Sequence, residues 1–448
     1  MRRAFALALA LLCCSVLAAQ ASRAPVLVDV PQDRGDAVGS TFQVACVRIA
    51  NARHPDGVPT IFLAGGPGAS GTELAQQLVA HGGDAVLTML PGDLIGFDER
   101  GVGRSRPNLA TKARFNLPLD AAGSFASYAE RVAATWEAVH RAGARAGVDL
   151  SCFHLQASVD DLECVRRALG IETWNVCGRS YGSQLAVAYS RRHPERVRRL
   201  LLCNVEAPEH TVKDPAAFTA ALRGFSAQQR ARNPEAPDLL VQWERALTRL
   251  EREPVTVAVG AQSVVVGAFD LRLLVAGALA STQRRSMLPA LLTAAADDDW
   301  RMVAALTLQF RRTTGPQSAM KLAFDAASGA LQPARIERVL QLPALGEFGS
   351  EVDFPWPWQT ARSGPVAHPR PPDPRPLAMP TLLISGELDP RTPPQNATAL
   401  LPSLTDARSI LVLGGTHDFS LFGHDDLRAR IGEFLRTGTC DAGPVTAR

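Results

Sequence analysis

The sequence predicts an α/β fold: a mostly parallel sheet flanked by helices, with a large, mainly helical cap inserted before the last two strands. Between residues 41 and 202, short apolar runs alternate with longer amphipathic stretches, the pattern of strands joined by crossover helices. From residue 208 to residue 376 helical spacing dominates, and strand character then returns at Thr381 and Ser409. With 448 residues, 46% of them apolar and 20% charged, the chain has material for one large buried core plus an insertion.

In chain order, residues 60–63 read as a strand ending at Gly65-Gly66-Pro67-Gly68, and residues 93–97 as one ending at Asp98-Glu99-Arg100-Gly101. Leu162, Val165 and Leu169 lie at helical spacing, and Gly170 stops that helix. Residues 173–177 form a strand running into Gly178, a helical stretch covers 184–192, and residues 197–203 make another buried strand. In the cap, Leu239, Leu240, Trp243, Leu247 and Leu250 share one helix face, and residues 255–266 read as a hairpin. The proline-rich stretch 364–376 suits an extended return linker. Strands at 381–385 and 409–413 and a helix at 425–435 close the fold. The resulting division is 1–21 as a leader, 22–207 as the first part of the core, 208–376 as the cap, 377–437 as the rest of the core, and 438–448 as a tail.

The leader has Arg2 and Arg3, an apolar run to about Ala19, and small residues at Ala19 and Ala21, the features of a secretory signal. The run is shorter than the ~20 residues a membrane span needs. Leu11 and Leu12, ahead of Cys13 and Cys14, are too bulky for lipoprotein cleavage. The expectation is a soluble secreted or periplasmic protein, free of the membrane once the signal is removed. Six cysteines remain after the leader, and an oxidising compartment permits disulfides. Cys177 and Cys203 lie in strand-like runs and read as buried free thiols. The lack of CxxC pairs or clustered Cys/His spacing argues against structural zinc. The formal charge is +3, with 47 basic residues against 44 acidic ones and no long basic run, so nucleic acid is not an expected partner. Only Lys112, Lys213 and Lys321 among the basic residues are lysines, which reads as compositional bias without bearing on ligand choice.

Gly178-Arg179-Ser180-Tyr181-Gly182 fits G-x-S-x-G between a strand and a helix, the context in which that motif presents a nucleophilic serine. A serine hydroxyl is a weak nucleophile at neutral pH, so it needs a base and a carboxylate to orient that base. Of nine histidines, His417 directly follows the last strand, in Gly414-Gly415-Thr416-His417-Asp418, while His424 comes a turn later. Asp389 follows the strand at 381–385, and Glu387 is its nearest rival. The oxyanion of acyl transfer needs fixed backbone donors, for which the N–H of Tyr181 and of Gly66 are the candidates.

At these residues the chain resembles the proline iminopeptidase and tripeptidyl aminopeptidase family of α/β-hydrolase serine peptidases, and it is closer to the secreted tripeptidyl branch. The resemblance rests on Gly65-Gly66-Pro67-Gly68, Asp98-Glu99-Arg100-Gly101-Val102-Gly103-Arg104-Ser105, Ser180-Tyr181-Gly182 and Gly386-Glu387-Leu388-Asp389, together with the hairpin at 255–266 and the helical stretch after it. It extends from about Pro31 to Leu435. The resemblance implies a cap over the sheet, no cofactor, and a peptide substrate cleaved from its free N-terminus. Ala64 stands where many relatives have His, and the family's cysteine near Leu109 is missing, so Cys152 has lost its usual partner. Residues 349–353 are similar to the family's Cys-x-Glu-Asp stretch without its cysteine. A substrate α-amine calls for a partly dry carboxylate; Glu351, by resemblance, and Glu206, just beyond the strand at 197–203, are the candidates. An ester hydrolase on the same scaffold is the alternative reading, and a non-catalytic binding protein the weaker one.

Overall fold

The computed structural model describes residues 25–35, 39–315, 318–327 and 375–446. The predicted leader, Glu351 and the stretch 364–374 lie outside the described residues. A nine-stranded sheet forms the centre, in the order β1 (Val26–Pro31), β2 (Thr41–Ile49), β4 (Leu94–Asp98), β3 (Thr60–Leu63), β5 (Trp174–Ser180), β6 (Val197–Val205), β9 (Thr381–Gly386), β10 (Ala407–Leu413) and β11 (Val445–Thr446). β1 and β2 pair antiparallel, as do β2 and β4, and every pairing from β4 onward is parallel. β3, β4 and β9 are buried along their whole length, which is why they read as unbroken apolar runs.

Side chains alternate between the two faces. Ile61, Leu63, Val176, Leu200 and Leu202 join a core with Val159, Leu162, Leu185 and Tyr189 from the helices Leu155–Ala168 and Tyr181–Arg192. Phe62, Cys177, Leu201 and Cys203 face the other way, against Ala75, Val86, Ile431 and Phe434 of the helices Gly71–Met89 and Asp425–Thr437. The six described cysteines are free, and Cys177 and Cys203 are buried. Among the described residues no helix is long and apolar enough to cross a membrane.

Between β6 and β9 the chain leaves the sheet and builds a second core. Phe218, Trp243, Leu247, Leu250, Leu271, Leu292 and Val303 pack together, joined by Val264 and Val266 of the hairpin β7 (Val255–Val259) and β8 (Gln262–Val266). Leu388, from the loop after β9, packs into that same core and so ties the insertion to the sheet. Three strands follow the insertion instead of two: β11 pairs with β10 inside the stretch read as a tail, and two residues are too few to show a period.

Two strand lengths position the site. β5 continues three residues past Cys177, with Gly178 opposite Leu202, Arg179 opposite Cys203, and a register shift before Ser180 pairs with Val205. β6 likewise runs to Val205, so the next residue, Glu206, emerges at the same edge as Ser180.

Candidate active site

Ser180 sits at the junction of β5 and the helix Tyr181–Arg192 with φ 55° and ψ −128°, a conformation that costs a non-glycine residue energy and marks functional turns. The flanking glycines make the turn possible. A Cβ on Gly178 would fall 2.2 Å from the Gly182 carbonyl oxygen, and one on Gly182 would fall 2.2 Å from that of Leu63. The loop after β3 presses on the serine, since a Cβ on Gly65 would lie 3.1 Å from Ser180 Cβ. Gly66 follows with φ 124°, in the left-handed half of conformational space that glycine tolerates. Tyr181 is the first residue of its helix, and an N–H there has no acceptor within the helix.

Asp389 and His417 are brought together: His417 Nδ1 lies 2.9 Å from Asp389 Oδ2. The same oxygen accepts from Asn204 Nδ2 at 2.6 Å and Thr392 Oγ1 at 2.5 Å, while Oδ1 accepts the backbone N–H groups of Arg391 and Thr392. Burial pushes this carboxyl's pKa up, but the neighbouring His417 and the hydrogen bonds from His417 and Thr392 outweigh it and hold the group well below the usual carboxylate range. Arg179, the residue before the serine, donates to the His417 carbonyl at 2.6 Å, so the serine turn and the histidine loop are tied directly. Glu387 acts on that loop in another way, because its Oε2 accepts the Gly414 N–H at 2.7 Å and pins the segment that carries the histidine. His424 precedes the last helix as its N-cap residue.

Glu206 is buried at the serine. Its Oε2 accepts from Ser180 Oγ at 3.4 Å and lies 3.0 Å from Lys213 Nζ. A substrate ammonium would therefore meet a carboxylate that already carries a cation. Glu351, the other acid expected to hold the amine, lies outside the described residues.

Several residues of this site have roles that the sequence reading did not assign, Glu99 among them although it lies in the Asp98-Glu99-Arg100-Gly101 stretch. Glu99 is buried, and its Oε2 accepts from Ser158 Oγ at 2.7 Å and Tyr181 OH at 3.2 Å. Burial raises its pKa to about 7 against the lowering effect of those hydrogen bonds. Tyr181 also stands edge-on to Phe324 of the helix Ala319–Ala327, 5.7 Å between ring centres. On that helix Lys321 pairs with Asp325 at 2.7 Å, beside Gly68. The charges of Glu206 and Lys213 reach Asp325, whose pKa is raised chiefly by burial. Asn204, with φ 53°, and Thr392 come to notice only through the geometry around Asp389.

A family model described as alpha/beta hydrolase fold matches residues 61–424. The chain belongs to the alpha/beta hydrolase fold family. Among curated proteins, this hydrolase is 29% identical over 187 residues to a tripeptidyl aminopeptidase of Streptomyces coelicolor, covering 40% of this chain and 35% of that protein. It is 32% identical over 149 residues to a proline iminopeptidase of Neisseria meningitidis, covering 33% of each. The matched stretch thus spans about a third of these relatives' length. A solved proline iminopeptidase of Mycobacterium smegmatis aligns over 93% of this chain and 98% of its own, with 19% identity and a TM-score of 0.41.

Proposed function

We propose that this hydrolase is an exported serine aminopeptidase that releases short units from free peptide N-termini through an acyl-enzyme at Ser180. The observation that carries the reading is a serine at a strained strand-to-helix turn, tied by Arg179 to a histidine whose Nδ1 is held by a buried, multiply hydrogen-bonded aspartate. In this mechanism Asp389 fixes the His417 tautomer with the proton on Nδ1, leaving Nε2 to take the Ser180 proton as Oγ attacks the scissile carbonyl. The tetrahedral oxyanion is received by the N–H groups of Tyr181 and Gly66. His417 then protonates the departing amine, and the same steps with water in place of the serine release the acyl group.

Peptide specificity is supported by the similar tripeptidyl aminopeptidase and proline iminopeptidase. Export is supported by the N-terminal Arg2-Arg3 and the apolar run that follows. Glu351 is the acid this reading assigns to the substrate ammonium. The test is a panel of fluorogenic peptides with free and acetylated N-termini, run beside short-chain esters. Acetylation should lower kcat/KM by about 30-fold or more, the usual consequence of stripping one partner from a shielded charged pair. Equal cleavage of free and blocked peptides, or turnover of esters alone, would overturn it.

A further inference from the structure

Lys112, Lys213 and Lys321 are the only lysines among 47 basic residues, and their placement is uneven. Lys112 is exposed, whereas Lys213 is buried at Glu206 and Lys321 stands against the loop at Gly68. In a chain that otherwise uses arginine, the cation paired with the carboxylate at the serine is a lysine. Lys213 Nζ, with 4% of its side chain exposed, donates to the His210 carbonyl at 2.8 Å and lies 3.0 Å from Glu206 Oε2. A compact point charge satisfies that arrangement; a planar guanidinium with five spread donors does not.

The carboxylate it neutralises is anchored to the nucleophile turn twice. Ser183 Oγ donates to the Ser180 carbonyl at 2.6 Å and accepts the Glu206 N–H at 2.8 Å, so the backbone of Glu206 is locked to that of the serine. The Glu206 side chain then receives the Ser180 hydroxyl itself. Asn396 Nδ2 holds the preceding carbonyl, Val205 O, at 3.0 Å. These contacts fix a carboxylate beside Ser180 Oγ, and the tetrahedral oxyanion forms on the carbon that this oxygen attacks. Left bare, it would oppose that charge; balanced by Lys213, it can hold the hydroxyl without that cost.

We propose that Glu206 and Lys213 are a positioning pair for the nucleophile: Glu206 holds the Ser180 hydroxyl in the resting enzyme and gives up that single proton to His417 Nε2 when the serine attacks, and Lys213 cancels the charge Glu206 would otherwise set against the oxyanion. This rests on Ser180 being the nucleophile, and it gives Glu206 a role other than binding the substrate amine.

A fluorophosphonate carries no amine, so its rate of reaction with Ser180 reports the nucleophile alone. Lys213→Met, which strands a buried carboxylate beside the serine, should slow labelling by about 100-fold, within the range for breaking a desolvated charge pair. Glu206→Gln, nearly the same shape and neutral, should slow it by about 10-fold, the scale of exchanging a charge-assisted hydrogen bond for a neutral one while leaving Lys213 without its counter-charge. The double variant Glu206→Gln/Lys213→Met should recover to the level of Glu206→Gln or better. Turnover of free peptides, acetylated peptides and neutral esters should fall by the same factor in Glu206→Gln, with the loss in kcat and not in KM. Each rate is measured on protein whose thermal unfolding midpoint shows it to be folded; should Lys213→Met fail to fold, Glu206→Gln decides alone. Labelling of Glu206→Gln within twofold of wild type would overturn the proposal, as would a loss confined to free-amine peptides, which would make Glu206 the amine acceptor. Wild type that is not labelled at Ser180 would bring down the serine hydrolase reading and this inference with it.

Discussion

Asp389 and Ser180 are both buried and both fixed, but by different means. Asp389 is held by five donors, from Asn204, the Arg391 and Thr392 backbone, the Thr392 hydroxyl and His417. All of these come from the sheet and its loops. Ser180 is held by a strained backbone, by glycines with no room for a side chain, and by Glu206 with its partner Lys213. Its neighbour Tyr181 packs against Phe324, in a helix of the insertion. The donors to Asp389 thus lie outside the insertion, which reaches the histidine loop only beside His417, where Thr282 meets Thr416 and Asp418 and Arg285 donates to the Gly414 carbonyl, whereas the serine end has the insertion's Phe324 and Lys213 against its own residues. A change at the first should alter chemistry on every substrate alike; a change at the second can alter reactivity and selection separately.

The largest break in this comparison comes from Asp389→Asn. The fold should survive, since an amide oxygen can keep the backbone donors, but the tautomer that leaves Nε2 free is lost. Steady-state kcat should fall by about 10⁴ on peptides and esters equally. A variant within a few fold of wild type would remove Asp389 from its role.

The serine end carries a pH signature opposite in sign to that of the other end, where Asp389 is held below the usual carboxylate range. Burial holds Glu99 protonated to about pH 7, above the usual carboxylate range. A group raised in the folded state favours folding at low pH, and that contribution disappears as pH rises from the ordinary carboxylate range through about 7. Wild type should therefore lose stability over this interval, while Glu99→Gln, which still accepts from Ser158 and Tyr181, should not. Across it, the urea midpoint difference should move in favour of the Gln variant by an amount equivalent to roughly 3 kcal/mol. Parallel pH profiles for the two proteins would show that Glu99 is ionised as in water.

The smallest effect sharpens the choice of acid. Glu387 supports the histidine loop through the Gly414 N–H, whereas the imidazole itself is held by Asp389. Glu387→Gln can keep the bond to Gly414, so kcat should stay within a few fold of wild type, the size of one weakened hydrogen bond. A loss approaching that of Asp389→Asn would exchange the roles of the two acids.

These contrasts also explain what the sequence could reveal. The parallel sheet was legible because β3, β4 and β9 are buried on both faces and leave unbroken apolar runs. The turn at Ser180 was legible because both glycines are demanded by contacts close in sequence or on an adjacent strand. Asn204 and Thr392 were not, because each matters only through a partner whose approach the fold alone determines, and Glu99, though inside a legible motif, gave no sign of its contact with Tyr181. Glu206 could be singled out by its place after β6, yet its pairing with Lys213 across the turn that follows was invisible. The scarcity of lysine was in plain view, but its meaning needed the positions of Lys213 and Lys321 around the serine loop.

The central claim, that Ser180 is the nucleophile of a serine hydrolase, is tested most directly by reacting the purified protein with a fluorophosphonate and mapping the adduct by peptide mass spectrometry. One adduct per chain, on the peptide containing Ser180 and absent from Ser180→Ala, is the predicted result. Undiminished labelling of Ser180→Ala, or an adduct mapped to another residue, would contradict it.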